Sequence, residues 1–503
     1  MGMTRMLVGL AVAGATMLGT MQVQAGALGS AFKINDGAVS GERSVVDTAA
    51  AFNGDQVVML RNFSNESRWT AHYRSDGSLI GGAFGAVGNS GDAIATDRAG
   101  NKAVVGLISG TPGVYARVYD RSGALITPQF RVDGGAAGTL GYPLVGMNAD
   151  GLIAVTWSNF QSSTGSKSVH YRMFNRNGTA RTGVLTVATL QNPILEANSV
   201  VVDRLGNASV AYIQRDFSTP IGINVWLRRY TSTGAAIGST QRVSDASEQS
   251  LLPRIAINPD GQMVITWSQF ASGASSRRIM AQRFNASATR LGGNVLISDT
   301  AGNGQNNEVA MMDDGSYTVV WDNDNTQAVP ASVPGVFARQ YRSDGTAVAS
   351  EFRVSDTAIG GYQGRLSMDL AGNFLVVWSQ YDTASAKWNV YGRRYVMDTL
   401  PQVTTLQNGV AATGLSGALG SSRFFKIAIP PGISSFVVAM TGNGDADLVI
   451  RYAALPSQST YDIYPGLNGS NESVQVSTPP DGDFYIEVYG YQAYSNVSLQ
   501  VTY

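Results

Sequence analysis

The side chains able to do chemistry in this chain are mostly carboxylates and amides. Asp322-Asn323-Asp324-Asn325 sets four hard oxygen donors in a row, a pattern suited to calcium or to sugar hydroxyls, and equally to a solvated turn. The 36 Asp and Glu residues leave room for a paired-carboxylate glycoside mechanism. Other chemistries fail on inventory. Cysteine is absent, which excludes thiol catalysis, zinc-thiolate sites and disulfides. The two histidines, His72 and His170, lie 98 positions apart, so His-Glu-x-x-His is impossible. The chain contains neither a Gly-x-Ser-x-Gly elbow nor a phosphate-binding Gly-x-x-x-x-Gly-Lys-Ser/Thr loop.

The elements that must position these residues come from a repeat of about 55 residues. It is clearest at 254–299, where four short strand-like segments follow one another and Pro259-Asp260-Gly261 marks the first turn. Aligned on that glycine, the units fall at Gly54, Gly100, Gly151, Gly206, Gly261, Gly315 and Gly372. Six residues later stand Leu60, Gly106, Trp157, Tyr212, Trp267, Trp321 and Trp378, and the third segment ends at Tyr73, Tyr119, Phe174, Tyr230, Phe284, Tyr341 and Tyr395. Four-stranded units with such aromatic columns must bury their faces against one another, which predicts a seven-bladed β-propeller over 26–398. Aromatic side chains, and His170 in one of their slots, are expected between blades. The seventh unit lacks a fourth strand, whereas Ala31–Asp36 resembles one, so the N-terminal strand is expected to close the ring.

Within this frame, the loops after the second strands are the expected ligand-binding face. Candidates there are Asn159, Arg215, Asp216, Gln269, Asp322, Asp324, Tyr381 and Asp382. A further column, Ala71, Arg117, Arg172, Arg228, Gln282, Arg339 and Arg393, holds five arginines that could grip carboxylates or sulfates, or could stack on the aromatics and bridge blades. A sialidase-type Asp-box does not fit, because glycine and tryptophan are six apart here instead of three.

DLAGNFLVVW (369–378), VYGRRY (390–395) and EFRVSD (351–356) resemble repeats of large secreted bacterial surface and calcium-associated proteins, a likeness that speaks to architecture. After a polar linker, expected at 399–422, alternating apolar residues in Phe424–Ile429, Ser435–Met440, Leu448–Tyr452, Ser473–Val476, Phe484–Tyr489 and Ser498–Tyr503 predict separate short strands that make a small C-terminal β-sandwich over 423–503. Gly444-Asp445-Ala446-Asp447-Leu448, Tyr461-Asp462, Asn471-Glu472-Ser473 and 482–491 make this segment resemble the bacterial pre-peptidase C-terminal domain. The family's paired cysteines would fall near Ile463 and Val474 and are absent. The resemblance implies a non-catalytic appendage of secreted proteins, often removed on maturation and sometimes implicated in binding polymeric substrates. Asp445 and Asp447 could ligate calcium there; no other cofactor is expected.

Residues 1–25 read as an export signal: Arg5, the uncharged run Met6–Met21, then Val23-Gln24-Ala25. The expectation is a secreted protein, extracellular or periplasmic, without a membrane span after cleavage. A net charge of −1 argues against nucleic acid as a partner. The chain therefore reads as a monomeric, non-enzymatic binding or adhesion protein whose loop face recognises a glycan, matrix or protein. The alternative is a secreted carbohydrate-active hydrolase or lyase using loop carboxylates.

Overall fold

The computed structural model describes residues 27–34 and 43–503, apart from 52–53, 63–66, 75–76, 81–89, 109, 136–137, 192–194, 216–221, 246–248, 271–275, 299–302, 324–333, 356–360, 370, 383–385, 398–402, 418–420 and 458–459. The export segment 1–25, Asp216 and Asp324 lie outside these residues. Every regular element among the described residues is a β-strand.

Residues 32–396 form seven small antiparallel sheets, each built from strands consecutive in the chain except the last. The third is typical, with Thr139–Met147, Ile153–Gln161, Ser166–Phe174 and Leu185–Gln191 side by side. In the seventh, Gly361–Met368, Asn373–Asp382 and Lys387–Val396 are joined by Phe32–Lys33 from the other end of the chain, in the register Phe32↔Gly392 and Lys33↔Tyr391. The first strand of each sheet touches the first strand of the next, and the first strand of the seventh touches that of the first.

The turn glycines explain why each unit folds back at the same place. All seven have positive φ, from 79° to 88°, a region where a side chain would be strained. In three of the turns an aspartate fixes the loop by accepting from the residue four positions on: Asp97 with Asn101, Asp203 with Asn207 and Asp369 with Asn373.

The aromatic columns are core. Trp157, Trp267, Trp321 and Trp378 are fully buried, and the third-strand column from Tyr73 to Tyr395 is buried. The register sets three of these tryptophans opposite a third-strand ring that lies four residues before the strand's closing aromatic, as Trp157↔His170, Trp321↔Phe337 and Trp378↔Tyr391. His170 stacks on Trp157 with ring centroids 5.6 Å apart, and burial lowers its pKa.

The arginine column bridges sheets. Arg172, Arg339 and Arg393 each donate to a carbonyl at the end of the preceding sheet: Val132 at 3.0 Å, Ile297 at 2.9 Å and Val354 at 3.1 Å. Arg172 and Arg339 also lie over Phe174 and Tyr341. The fifth sheet has Gln282 in this column; there Arg290 donates to Val243 O at 2.8 Å and to Gln282 Oε1 at 3.2 Å. The staple survives the substitution because a neighbouring arginine supplies it.

The C-terminal sheet has six strands: Val403–Thr405, Ala412–Gly417, Ser422–Ile429, Ser435–Tyr452, Glu472–Ser477 and Gly482–Thr502. Two expectations are corrected here. The supposed linker 399–422 contributes two of these strands, with Leu406 and Leu415 in the core. Segments expected as separate strands are halves of the long strands Ser435–Tyr452 and Gly482–Thr502. Register shifts at Thr441/Asn443 and Gly444/Ala446 bend that pair, so its two halves can enclose one core, as a sandwich requires.

Candidate functional site

Asp322 lies at the centre of a pocket of about 290 Å3 lined by Ser44, Gln305, Asn306, Asp322, Tyr362, Gln363, Ser379 and Trp388. These residues come from the sixth, seventh and first sheets, on the side carrying the turns between second and third strands. Two β-bulges shape it. The registers shift at Gln305/Glu308 and Tyr362/Arg365, where Asn306 and Gln363 take positive φ of 44° and 57°.

Asp322 is 2% exposed, and its Oδ2 accepts from Asn306 Nδ2 at 3.1 Å and from the Gln363 backbone N–H at 3.2 Å. Its Oδ1 is buried with no hydrogen-bond partner. Burial pushes its pKa up to about 6, with the two hydrogen bonds and the nearby Arg365 charge working in the opposite direction. The aromatic wall is a set of tilted rings: Trp388 lies 5.8 Å from Tyr362 and 5.7 Å from Tyr381. Aromatic faces beside a buried carboxylate and side-chain amides make a surface that can stack on a sugar ring and bind its hydroxyls.

The candidates expected to form one exposed face do not converge. Asn159 is 3% exposed and Gln269 2%, because the second strands Ile153–Gln161 and Met263–Phe270 run on past their tryptophans. Gln269 accepts the indole N–H of Trp267 at 2.7 Å, which is a structural role. Asp322 is likewise strand, and buried, within Tyr317–Asn323. Arg215 is exposed at the end of Ala208–Arg215 in the fourth sheet, away from the pocket residues. Tyr381 is exposed behind Trp388, and Asp382 is half-buried at the end of its strand. Of the six candidates among the described residues, only Asp322 lines the pocket.

Asp445 and Asp447 are engaged in local structure. Asp445 accepts from Gly469 N at 2.7 Å, and the buried Asp447 accepts from the Tyr464 hydroxyl at 2.8 Å. Burial raises the Asp447 pKa, Asp445 adding to the effect. Among the described residues no three or more His, Cys, Asp or Glu are grouped to hold a metal ion.

A second site lay hidden in the repeat. A cavity of about 810 Å3 runs between the first strands of all seven sheets. It is lined by one residue per sheet, seven before each turn glycine: Asp47, Ala93, Leu144, Ser199, Arg254, Glu308 and Arg365. Four consecutive sheets, the fifth to the first, thus supply alternating charges. Arg254 Nε donates to Glu308 Oε1 at 2.9 Å, with Arg365 Nε 3.7 Å from the same oxygen. Asp47 accepts from Thr48 N at 2.9 Å and Ile94 N at 3.0 Å. Asp47 keeps some surface facing the channel but lies far below the outer surface; desolvation, aided by Glu308, raises its pKa to about 6. The rest of the wall is largely apolar, including Ile94, Val145, Val201, Ile255 and Val309.

Residues 421–490 match the bacterial pre-peptidase C-terminal domain family, so the chain carries that domain. This stretch also underlies the likeness to curated proteases. The chain is 36% identical over 98 residues to the alkaline serine exoprotease A of Vibrio alginolyticus, covering 20% of this chain and 18% of the relative. It is 35% identical over 100 residues to the extracellular protease of Xanthomonas campestris pv. campestris, covering 20% of this chain and 17% of the relative. The chain therefore spans under a fifth of the length of either. Among solved structures, the GH93 α-L-arabinofuranosidase of Fusarium graminearum superposes with a TM-score of 0.42 at 12% identity, covering 61% of this chain and 92% of that one. A superposition of that quality carries no information on activity. Among the described residues no helix is long and apolar enough to cross a membrane.

Proposed function

We propose that this chain is a secreted glycan-binding protein: a seven-bladed β-propeller, closed by its N-terminal strand, that carries a pre-peptidase C-terminal module. The cyclic contacts of the seven sheets and the pairing of Phe32–Lys33 with the seventh support the ring. The export-type segment at 1–25 and the family of residues 421–490 support secretion.

The observation that carries the binding reading is the pocket at Asp322, whose lining brings together a buried carboxylate, one oxygen of which makes no hydrogen bond, and the aromatic residues Tyr362 and Trp388. A ligand hydroxyl donating to that oxygen would satisfy it, while Trp388 and Tyr362 would cover the apolar face of the sugar. The raised Asp322 pKa supports a second reading, a hydrolase or lyase in which the protonated acid assists a leaving group.

One experiment separates them: an oligosaccharide array, followed by titration calorimetry on the best hit. Trp388→Ala and Asp322→Asn are each expected to weaken binding by at least about 10-fold. Absence of any glycan binder, or a hit unaffected by both substitutions, contradicts the reading. Release of reducing ends that Asp322→Asn abolishes would replace binding by catalysis.

A further inference from the structure

We propose that the C-terminal module is a clamp across the seam of the ring, with the turns between first and second strands of its own chain as the docking surface; this rests on the closed-ring reading above. The seam needs such support because the closing strand, Phe32–Lys33, contributes two residues to its ladder. Outside it, Ile34 N–Val390 O and Leu28 N–Arg394 O add single hydrogen bonds.

The module's polar contacts reach the sixth, seventh and second sheets, and through Arg121 the first, so they surround that seam. Arg451 pairs with Asp313 in the sixth sheet, the two side chains being 7% and 14% exposed. Tyr485 lies near enough to Asp369 and Asn373 of the seventh for both side chains to act on its hydroxyl, which burial holds well above its ordinary pKa. Arg121 of the second sheet joins Asp55 of the first, at 2.6 Å, to Asp481 of the module, at 2.5 Å. Arg98, also in the second, lies 3.7 Å from Asp462. Charges run both ways across the interface, with arginines from the ring meeting module aspartates and a module arginine meeting a ring aspartate. Such an arrangement fixes one orientation and disfavours a rotated one. Arg451 also lines the channel mouth, so the module sits over its turn-side end. Without Arg451 the buried Asp313 carboxylate would lose its ion pair and keep only the weaker influence of Arg98.

The test uses the full chain with a site-specific protease sequence inserted within 399–402. After cutting, gel filtration follows whether the two halves stay together, and hydrogen exchange follows the Phe32–Lys33 pairing. The halves should co-elute and the seam amides stay protected. In the cut Arg451→Glu chain, association should weaken and seam exchange accelerate, each by at least about 10-fold. The exchanged pair Asp313→Arg with Arg451→Asp should recover both, which separates a lost contact from a misfolded module. Prompt separation of the unmutated halves, or seam exchange indifferent to their separation, overturns the clamp. If the seam amides of the intact chain already exchange as unpaired ones do, it is the closed ring that fails.

Discussion

Asp369, Asp47 and Asp322 share a property that the intact protein should report. Burial pushes their pKa values up, to about 7 for Asp369 and about 6 for the other two, against an ordinary value of 3.8. Between those limits the folded chain binds more protons than the unfolded chain. The stabilisation is therefore complete below about pH 4 and is lost as pH rises through 6 to 7. The melting temperature should fall between pH 5 and pH 8, and Asp369→Asn should remove part of the fall, on the order of 1–3 kcal/mol. A melting temperature that climbs across this window would contradict the assignment. At this scale the sequence was an uneven guide. Asp322 was visible as part of an acidic run, but its burial was not, because the run looks like loop and is partly strand. Asn159 and Gln269 were misplaced for the same reason: polar residues at the end of a second strand look exposed until the strand is seen to continue.

At the scale of the strand, the columns were legible because each is tied to a hard local constraint. Positive φ demands glycine at every first turn, and an inter-sheet slot demands a large flat ring. Trp321, fully buried and stacked on Phe337 at 6.2 Å, should cost about 3–5 kcal/mol on Trp321→Ala, as denaturant unfolding would measure. An effect below about 1 kcal/mol would mean that the column does not hold the sheets together. The channel column escaped notice for an equally physical reason. In six sheets a register shift ends on its residue, so the extra residue breaks the two-residue period that strand reading relies on. The sandwich boundary was misjudged because Val403–Thr405 and Ala412–Gly417 are short and poor in large apolar residues. They are strands through pairing with Ser422–Ile429 and Gly482–Thr502, not through their own pattern.

For the whole molecule, the seam is where the account converges. The Asp322 pocket draws on the sixth, seventh and first sheets, the charged channel residues on the fifth, sixth, seventh and first, and the module on the sixth, seventh, first and second. If the ring closes as proposed, its closure assembles the pocket as well as completing the seventh sheet. The most direct measurement is thermal melting of the chain with residues 26–40 deleted, beside the intact chain. A ring closed by this strand predicts a melting temperature lower by about 10 °C or more, together with loss of glycan binding at the Asp322 pocket. A deletion that melts like the intact protein would contradict ring closure and, with it, the origin of the pocket.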